Sequence, residues 1–222
     1  YYQRFLRELP TLQALADAPE EKLLKLWEGL GYYSRARNLQ KTAQIIAEKY
    51  QGKFPDCYET LLTLPGIGEY TAGAIASIAF GKPTPAVDGN VLRVICRLSE
   101  NCNDIRSAKT KAVVRAALQK IYPTEHCADF TQALMELGAT QCLPNALPEC
   151  QPCPLHMHCR AFAHGTVAEI PAKAPSKPRK IEKKTVLLLT CNGKIALCQR
   201  QQNGLLAGLF STAWANVTGK DP

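Results

Sequence analysis

No run in this chain approaches the roughly 20 apolar residues that a membrane-spanning helix needs, and no signal-like apolar segment opens it. A membrane partner is therefore not expected, and a reducing compartment is. Acid is scarce as well: 19 Asp and Glu stand against 27 Lys and Arg, for a formal charge of +8. That balance favours a polyanionic partner such as nucleic acid, although a basic surface serves solubility equally well. Up to about residue 163 the sequence also lacks any sustained two-residue alternation of apolar side chains, which argues against a β-rich first region.

What is present there has helical spacing. The chain has 222 residues, 46% of them hydrophobic and 21% charged, enough for more than one packed unit. Asp17, Pro19 and Glu20 read as a helix start, followed by Leu23, Leu24, Trp27 and Leu30 on one face and a stop at Gly29 and Gly31. A second helix places Ala36, Leu39, Ala43, Ile46 and Tyr50 along its apolar side. Shorter helices are predicted over 58–62, 69–80, 90–98, 108–121 and 129–137. The stretch PAKAPSKPRKIEKK at 171–184 reads as an extended linker. Beyond it, two apolar strand-like runs flank Asn192-Gly193, a strong hairpin signal.

Three constellations carry candidate chemistry. In Leu64-Pro65-Gly66-Ile67-Gly68, between two predicted helices, the glycines permit positive φ and leave backbone amides bare, so a phosphate can rest against them and the next helix start. The plain alternative is a tight turn between helices. Asp88, in Val87-Asp88-Gly89-Asn90, opens another helix; by itself it reads as an N-cap, contributing about 1 kcal/mol. Beside a DNA-gripping hairpin it can instead face a flipped-out nucleotide and stabilise positive charge growing on the sugar. Cys142, Cys150, Cys153 and Cys159, with seven, two and five residues between them, form a proline-rich loop suited to metal. Spacing alone leaves structural zinc and an iron-sulfur cluster both open. His156 and His158 read as surface residues of that loop, and the remaining six cysteines as free thiols.

Taken together, LPGIGEYTAGAIA, VDGNVLRV and the cysteine loop resemble the helix-hairpin-helix DNA glycosylases, and within them the MutY-type adenine DNA glycosylases, over Tyr1 to about Pro222. Endonuclease III relatives are the nearest alternative, but they carry a Schiff-base lysine where Tyr70 stands here. The resemblance implies a mainly α fold with a six-helix-barrel module and helix-hairpin-helix at 1–82 and an iron-sulfur module at 83–168. A linker at 169–184 and the start of a Nudix-like α+β domain at 185–222 would follow. It implies Asp88 as catalytic aspartate, Tyr70 lining the pocket and Asn90 supporting the same loop. Leu64, Gly66, Ile67, Gly68, Tyr32 and Arg35 would meet DNA, with Tyr32 wedging into the base stack, and Gln132 would read the adenine edge. The four cysteines would hold a [4Fe-4S] cluster. The partner would be double-stranded DNA with an oxidised guanine-adenine mispair, bound by a monomer in a bacterial cytoplasm or a nucleus.

Two elements of that family pattern are missing. Its general-acid glutamate lies in an E-x-M-L-Q-Q-T helix upstream of the position of Tyr1, and nothing in the sequence replaces it. General acid catalysis contributes roughly 10²–10⁴-fold, so the chain as it stands is expected to be badly impaired as a glycosylase, or to be a non-catalytic DNA-binding module. The 185–222 stretch has no Nudix box, so nucleotide pyrophosphate hydrolysis is not expected from it.

Overall fold

The computed structural model describes residues 1–144, 147–175, 178, 181, 184–201, 204 and 207–216. Two short helices that the periodicity did not single out come first, α1 (Tyr2–Glu8) and α2 (Leu12–Ala16), the latter capped by Thr11, whose hydroxyl accepts from the Ala14 amide at 3.0 Å. Helix α3 (Glu20–Trp27) follows, but Asp17 does not start it. That carboxylate accepts from Gln13 Nε2 at 2.8 Å, and Pro19 is the N-cap with no side-chain bond. The helix ends before Gly29 and Gly31, both with positive φ, and leaves Leu30 outside it. Helix α4 (Ser34–Lys49) buries Ala36, Ala43 and Ile46 as its stripe requires, while Leu39 on the same stripe stays 40% exposed.

Helices α5 (Tyr58–Leu62) and α6 (Glu69–Ala74) flank the glycine hairpin, and α6 widens into a π turn over Ile75–Ala79. The predicted 69–80 helix is thus two geometries end to end. Helix α7 (Gly89–Ser99) is the most strongly two-sided, burying Val91, Leu92, Val94 and Cys96 together with two arginines, Arg93 and Arg97. Helix α8 (Ala108–Ile121) and helix α9 (Cys127–Glu136) pack beside it, and α9 too ends in a π turn, Leu137–Gln141. The cysteine loop closes with a 3₁₀ turn at His156–His158 and helix α10 (Arg160–Ala163).

Apolar burial divides among three clusters. Ile46, Leu61, Leu64, Ala72 and Ala76 unite α4, α5 and α6, and Leu9, Leu23 and Ala36 pin the first helices. Val91, Val114, Leu118, Cys127, Leu134 and Ile170 join α7, α8 and α9. Each fully buried Leu, Ile or Val stabilises by about 1.5–3 kcal/mol, so these clusters fix where the ends of α6 and α7 fall.

The chain separates into two compact units, Tyr1–Ala174 and Pro175–Pro222. Residues 170–174, read from the sequence as linker, pack with the first unit: Ile170 is buried, and the Ala172 carbonyl accepts from the Ile105 amide at 3.0 Å. Much of the rest of the linker lies outside the described residues. In the second unit, β1 (Lys184–Leu187) pairs antiparallel with β6 (Ala213–Asn216), β2 (Thr190–Cys191) with β3 (Lys194–Ile195), and β4 (Cys198–Gln199) with β5 (Phe210–Ser211). Asn192 and Gly193 make the turn between β2 and β3 with both φ positive, as an Asn-Gly hairpin requires. The hairpin arms are shorter than the apolar runs suggested, because β1 pairs with β6 instead of continuing the hairpin.

Candidate active site and cysteine loop

The hairpin is built from both sides. Leu64 is buried and Ile67 half-buried against the α5/α6 cluster, the Ile67 amide donates to the Leu64 carbonyl at 3.2 Å, and Thr42 Oγ1 donates to the Pro65 carbonyl at 3.0 Å. Its two glycines do different things. Gly66 has φ +76, and a Cβ there would lie 2.7 Å from Asn38 Cβ, so both conformation and space demand glycine. Gly68 is extended, with φ −93 and ψ −179, and a Cβ would meet nothing within 4 Å, so the positive φ that glycine permits is not used at this position. What its missing side chain leaves is open ground over the start of α6. Among the described residues, the amides of Gly66, Gly68, Glu69 and Tyr70 have no hydrogen-bond partner, the last two being the donors that any helix leaves unpaired at its first turn.

Asp88 sits where α7 begins. One carboxylate oxygen accepts from the Val91 amide at 2.7 Å, capping the helix, and the other accepts from Asn90 Nδ2 at 3.0 Å. The cap and the candidate catalytic role therefore coexist in one carboxylate. Asp88 is half-buried and lines a cavity of about 810 Å³ with Glu69, Tyr70 and Asn90. It is not turned into the protein interior. Tyr70 is 44% exposed on the same wall, and Glu69 and Asp88 are the only carboxylates lining the cavity among the described residues.

Tyr32 is a non-glycine residue with φ +48 and is 83% exposed. Such strain on a bare aromatic ring is uncommon and points outward from the core. Arg35 stays local: its Nη2 donates to the Leu30 carbonyl at 3.2 Å, and its guanidinium lies 5.4 Å from the Trp27 ring and 5.7 Å from the Tyr32 ring. Trp27, T-shaped against Phe5, is core packing, as its helix face suggested. Gln132 is exposed, donates back to the Ala128 carbonyl at 3.2 Å, and is absent from the lining of the Asp88 cavity. The structure does not bring it to the other candidate residues.

Cys142, Cys150, Cys153 and Cys159 line a single small cavity, together with Arg97 and His156. Burial pushes the Cys150 thiol up, and the nearby Cys142, Cys159 and Cys153 push it further in the same direction, with Arg97 acting against them. Yet among the described residues no three His, Cys, Asp or Glu side chains close to the spacing of a single ion's ligands. Zinc would need each sulfur about 2.3 Å from one centre. A polynuclear cluster meets each thiolate with its own metal atom.

The sequence reading missed the polar seam along α7. Arg93 Nε donates to the Cys142 carbonyl at 2.8 Å, and its Nη2 to Asn90 Oδ1 at 3.0 Å and to the Gly138 carbonyl. Arg97 Nη1 donates to Cys142 Sγ at 3.2 Å and to the Leu143 carbonyl at 3.0 Å, while its Nε donates to the Ile170 carbonyl at 2.7 Å. Burial lowers the Arg93 guanidinium below its ordinary value, and the neighbouring Cys142 opposes that shift. The available signal was two arginines four residues apart, Arg93 and Arg97, which share the polar side of a helix whose N-cap is Asp88 with Asn90, a side that is buried all the same.

The chain is similar to known DNA-repair proteins. The family model described as HhH-GPD superfamily base excision DNA repair protein matches residues 1–124. A human protein named adenine DNA glycosylase is 38% identical over 96% of this chain and 48% of its own length. One of the same name from Buchnera aphidicola is also 38% identical, over 95% of the chain and 59% of that protein. The chain thus spans about half the length of the curated relatives it matches. A solved structure of a non-covalent endonuclease III-DNA complex superposes with a TM-score of 0.63 at 32% identity, covering 74% of this chain and 75% of that one.

Proposed function

Because the chain belongs to the HhH-GPD superfamily of base excision DNA repair proteins, we propose that it carries the helical scaffold of an adenine DNA glycosylase acting on adenine opposite 8-oxoguanine. The observation that carries this reading is the meeting of hairpin and acid. Asp88 and the first residues of α6, immediately after Gly68, line the same cavity. A strand phosphate held by the bare amides would present an extruded nucleotide there. Asp88 then steadies the cationic sugar as the base departs, with Asn90 orienting the carboxylate and Tyr70 walling the pocket. Glu69 repels a phosphate at the hairpin, and Arg115, 3.9 Å from its carboxylate, tempers that repulsion. Tyr32 is the residue we assign to wedge into the base stack, on its exposure and strained backbone. Arg35 acts by holding that turn, and Gln132 has no geometric support for reading adenine.

The four cysteines fit a [4Fe-4S] cluster by donor chemistry and by convergence on one cavity. Bound there, the cluster would brace the loop against α7. The strand pairs between 184 and 216 are consistent with the opening of a Nudix-like domain, a reading that rests on the resemblance alone.

A purine-release assay on duplex DNA with an oxidised guanine-adenine pair, comparing the intact protein, its general-acid glutamate included, with its Asp88→Asn variant, tests the proposal. Release that depends on the carboxylate supports it, and equal release by both sinks it. Borohydride trapping of a covalent adduct would move the reading to a lyase of the endonuclease III type, against which Tyr70 stands.

A further inference from the structure

The mechanism above leaves the cations of the Asp88 cavity unexplained. Five line it, Arg93, Arg106, Lys111, Arg115 and Lys173, against the two carboxylates. Two of the five have evident structural partners. Arg93 is bonded within the α7 seam, and Arg115 lies 4.2 Å from the centre of the Tyr58 ring with Glu69 nearby. The other three are exposed and come from separate stretches: Arg106 before α8, Lys111 in its first turn, and Lys173 near the end of the first unit. Those stretches are fastened together. The Ile105 amide donates to the Ala172 carbonyl at 3.0 Å, and the Asp104 carboxylate accepts from the Arg106 amide at 3.0 Å.

Lys111 and Lys173 have no carboxylate within ion-pair distance among the described residues, and Arg106 has only the half-buried Asp104, at 3.5 Å. Gathering exposed cations at one cavity costs mutual repulsion and contributes nothing to the three apolar clusters. Such an arrangement is explained by an anion that arrives from outside. We propose that Arg106, Lys111 and Lys173 form a second phosphate-binding station, so that DNA is held both by the hairpin amides and by this cationic wall. The inference rests on the DNA-repair reading. Lys and Arg on phosphate position the duplex without reading its sequence, so the station sets register for Asp88 and has no preference among bases.

Salt dependence separates this station from a merely structural role. Each phosphate neutralised contributes roughly 0.9 to the slope of log affinity against log salt. With an undamaged duplex as probe and the 222-residue chain, the Lys111→Gln/Lys173→Gln pair should flatten the slope by about 1.8. Arg106→Gln should flatten it by about 0.9. Affinity at low salt should fall equally for undamaged and mispaired duplexes. Lys120→Gln, on the same helix but nine residues from Lys111, is the charge control and should leave the slope in place. An unaltered slope in the folded double variant, or equal flattening by Lys120→Gln, overturns the station while the repair reading stands. A wild-type chain whose duplex binding has no salt slope overturns both readings together.

Discussion

The glycine hairpin, between α5 and α6, and the cysteine loop, between the π turn that ends α9 and α10, are both irregular connections, yet they are held in opposite ways. The hairpin is closed by its own neighbours, with Leu64 and Ile67 in an apolar cluster and Thr42 bonded to the Pro65 carbonyl. Among the described residues, four amides at its turn have no hydrogen-bond partner. The cysteine loop is held from outside, by Arg93 and Arg97 of α7, and its four thiols face one another across a cavity. One turn is complete before its ligand arrives. The other brings together groups whose ionised forms repel, so its stability is tied to what neutralises them.

The largest expected effect breaks the second region and spares the first. Cys142→Ser should abolish the visible absorbance of the cluster proposed above and destabilise the first unit by about 4 kcal/mol, because the buried Arg97 loses the thiolate that its Nη1 meets at 3.2 Å. Hydrogen exchange should then show lost protection over residues 137–163, with 64–76 retaining theirs. Equal loss in both stretches would show that the two turns are one cooperative element and that the contrast is false.

A smaller effect sharpens the contrast inside the hairpin. Gly66→Ala forces a left-handed backbone on a residue with Cβ and drives that atom against Asn38, so about 2 kcal/mol of stability should be lost in urea melts. Gly68→Ala meets neither obstacle, and its stability should change by less than about 0.5 kcal/mol. Its duplex affinity should nevertheless drop, since the methyl group covers the amides that a phosphate would approach. Equal stability losses in the two variants would contradict the division of labour between shape and access.

Legibility followed the same line. The hairpin could be located from sequence because glycine, proline and flanking helical periodicity are local signals, and the predicted 58–62 and 108–121 helices coincide with α5 and α8. Asp88 was legible as a cap, and its place at the cavity needed only its nearness to the hairpin. What escaped were the properties set by tertiary packing. No local pattern says that α6 and α9 end in π turns, or that Arg93 and Arg97 lie buried with carbonyls and a thiol as partners. Asp17 looked like a helix start because its residue type suits one, but Gln13 claimed the carboxylate. Gln132 had only a family position to recommend it, and the helix turned it to solvent. The cationic wall joins residues 106, 111 and 173, which are distant in sequence and adjacent only once Ile105 bonds to Ala172.

The smallest effect concerns the far end of α7, where the chain returns from the cysteine loop. Glu100 closes the helix in a left-handed conformation, with φ +55. Its carboxylate lies 2.6 Å from His164 Nδ1 and accepts from Thr166 Oγ1 at 3.0 Å. Those two bonds, that of His164 first, hold the Glu100 carboxyl below its ordinary value. A carboxyl whose folded value is depressed adds stability above its unfolded value, near 4.3, and that contribution disappears as pH falls through the lower folded value. Glu100→Gln should therefore melt slightly below wild type at neutral pH, and the two curves should converge as the medium becomes more acidic than the ordinary carboxylate range. Divergence on acidification would mean that the clasp does not hold the carboxylate form. Because the clasp ties the C-terminus of α7 to the chain just after Cys159, the same substitution should loosen exchange protection in the cysteine loop and leave the glycine hairpin unchanged.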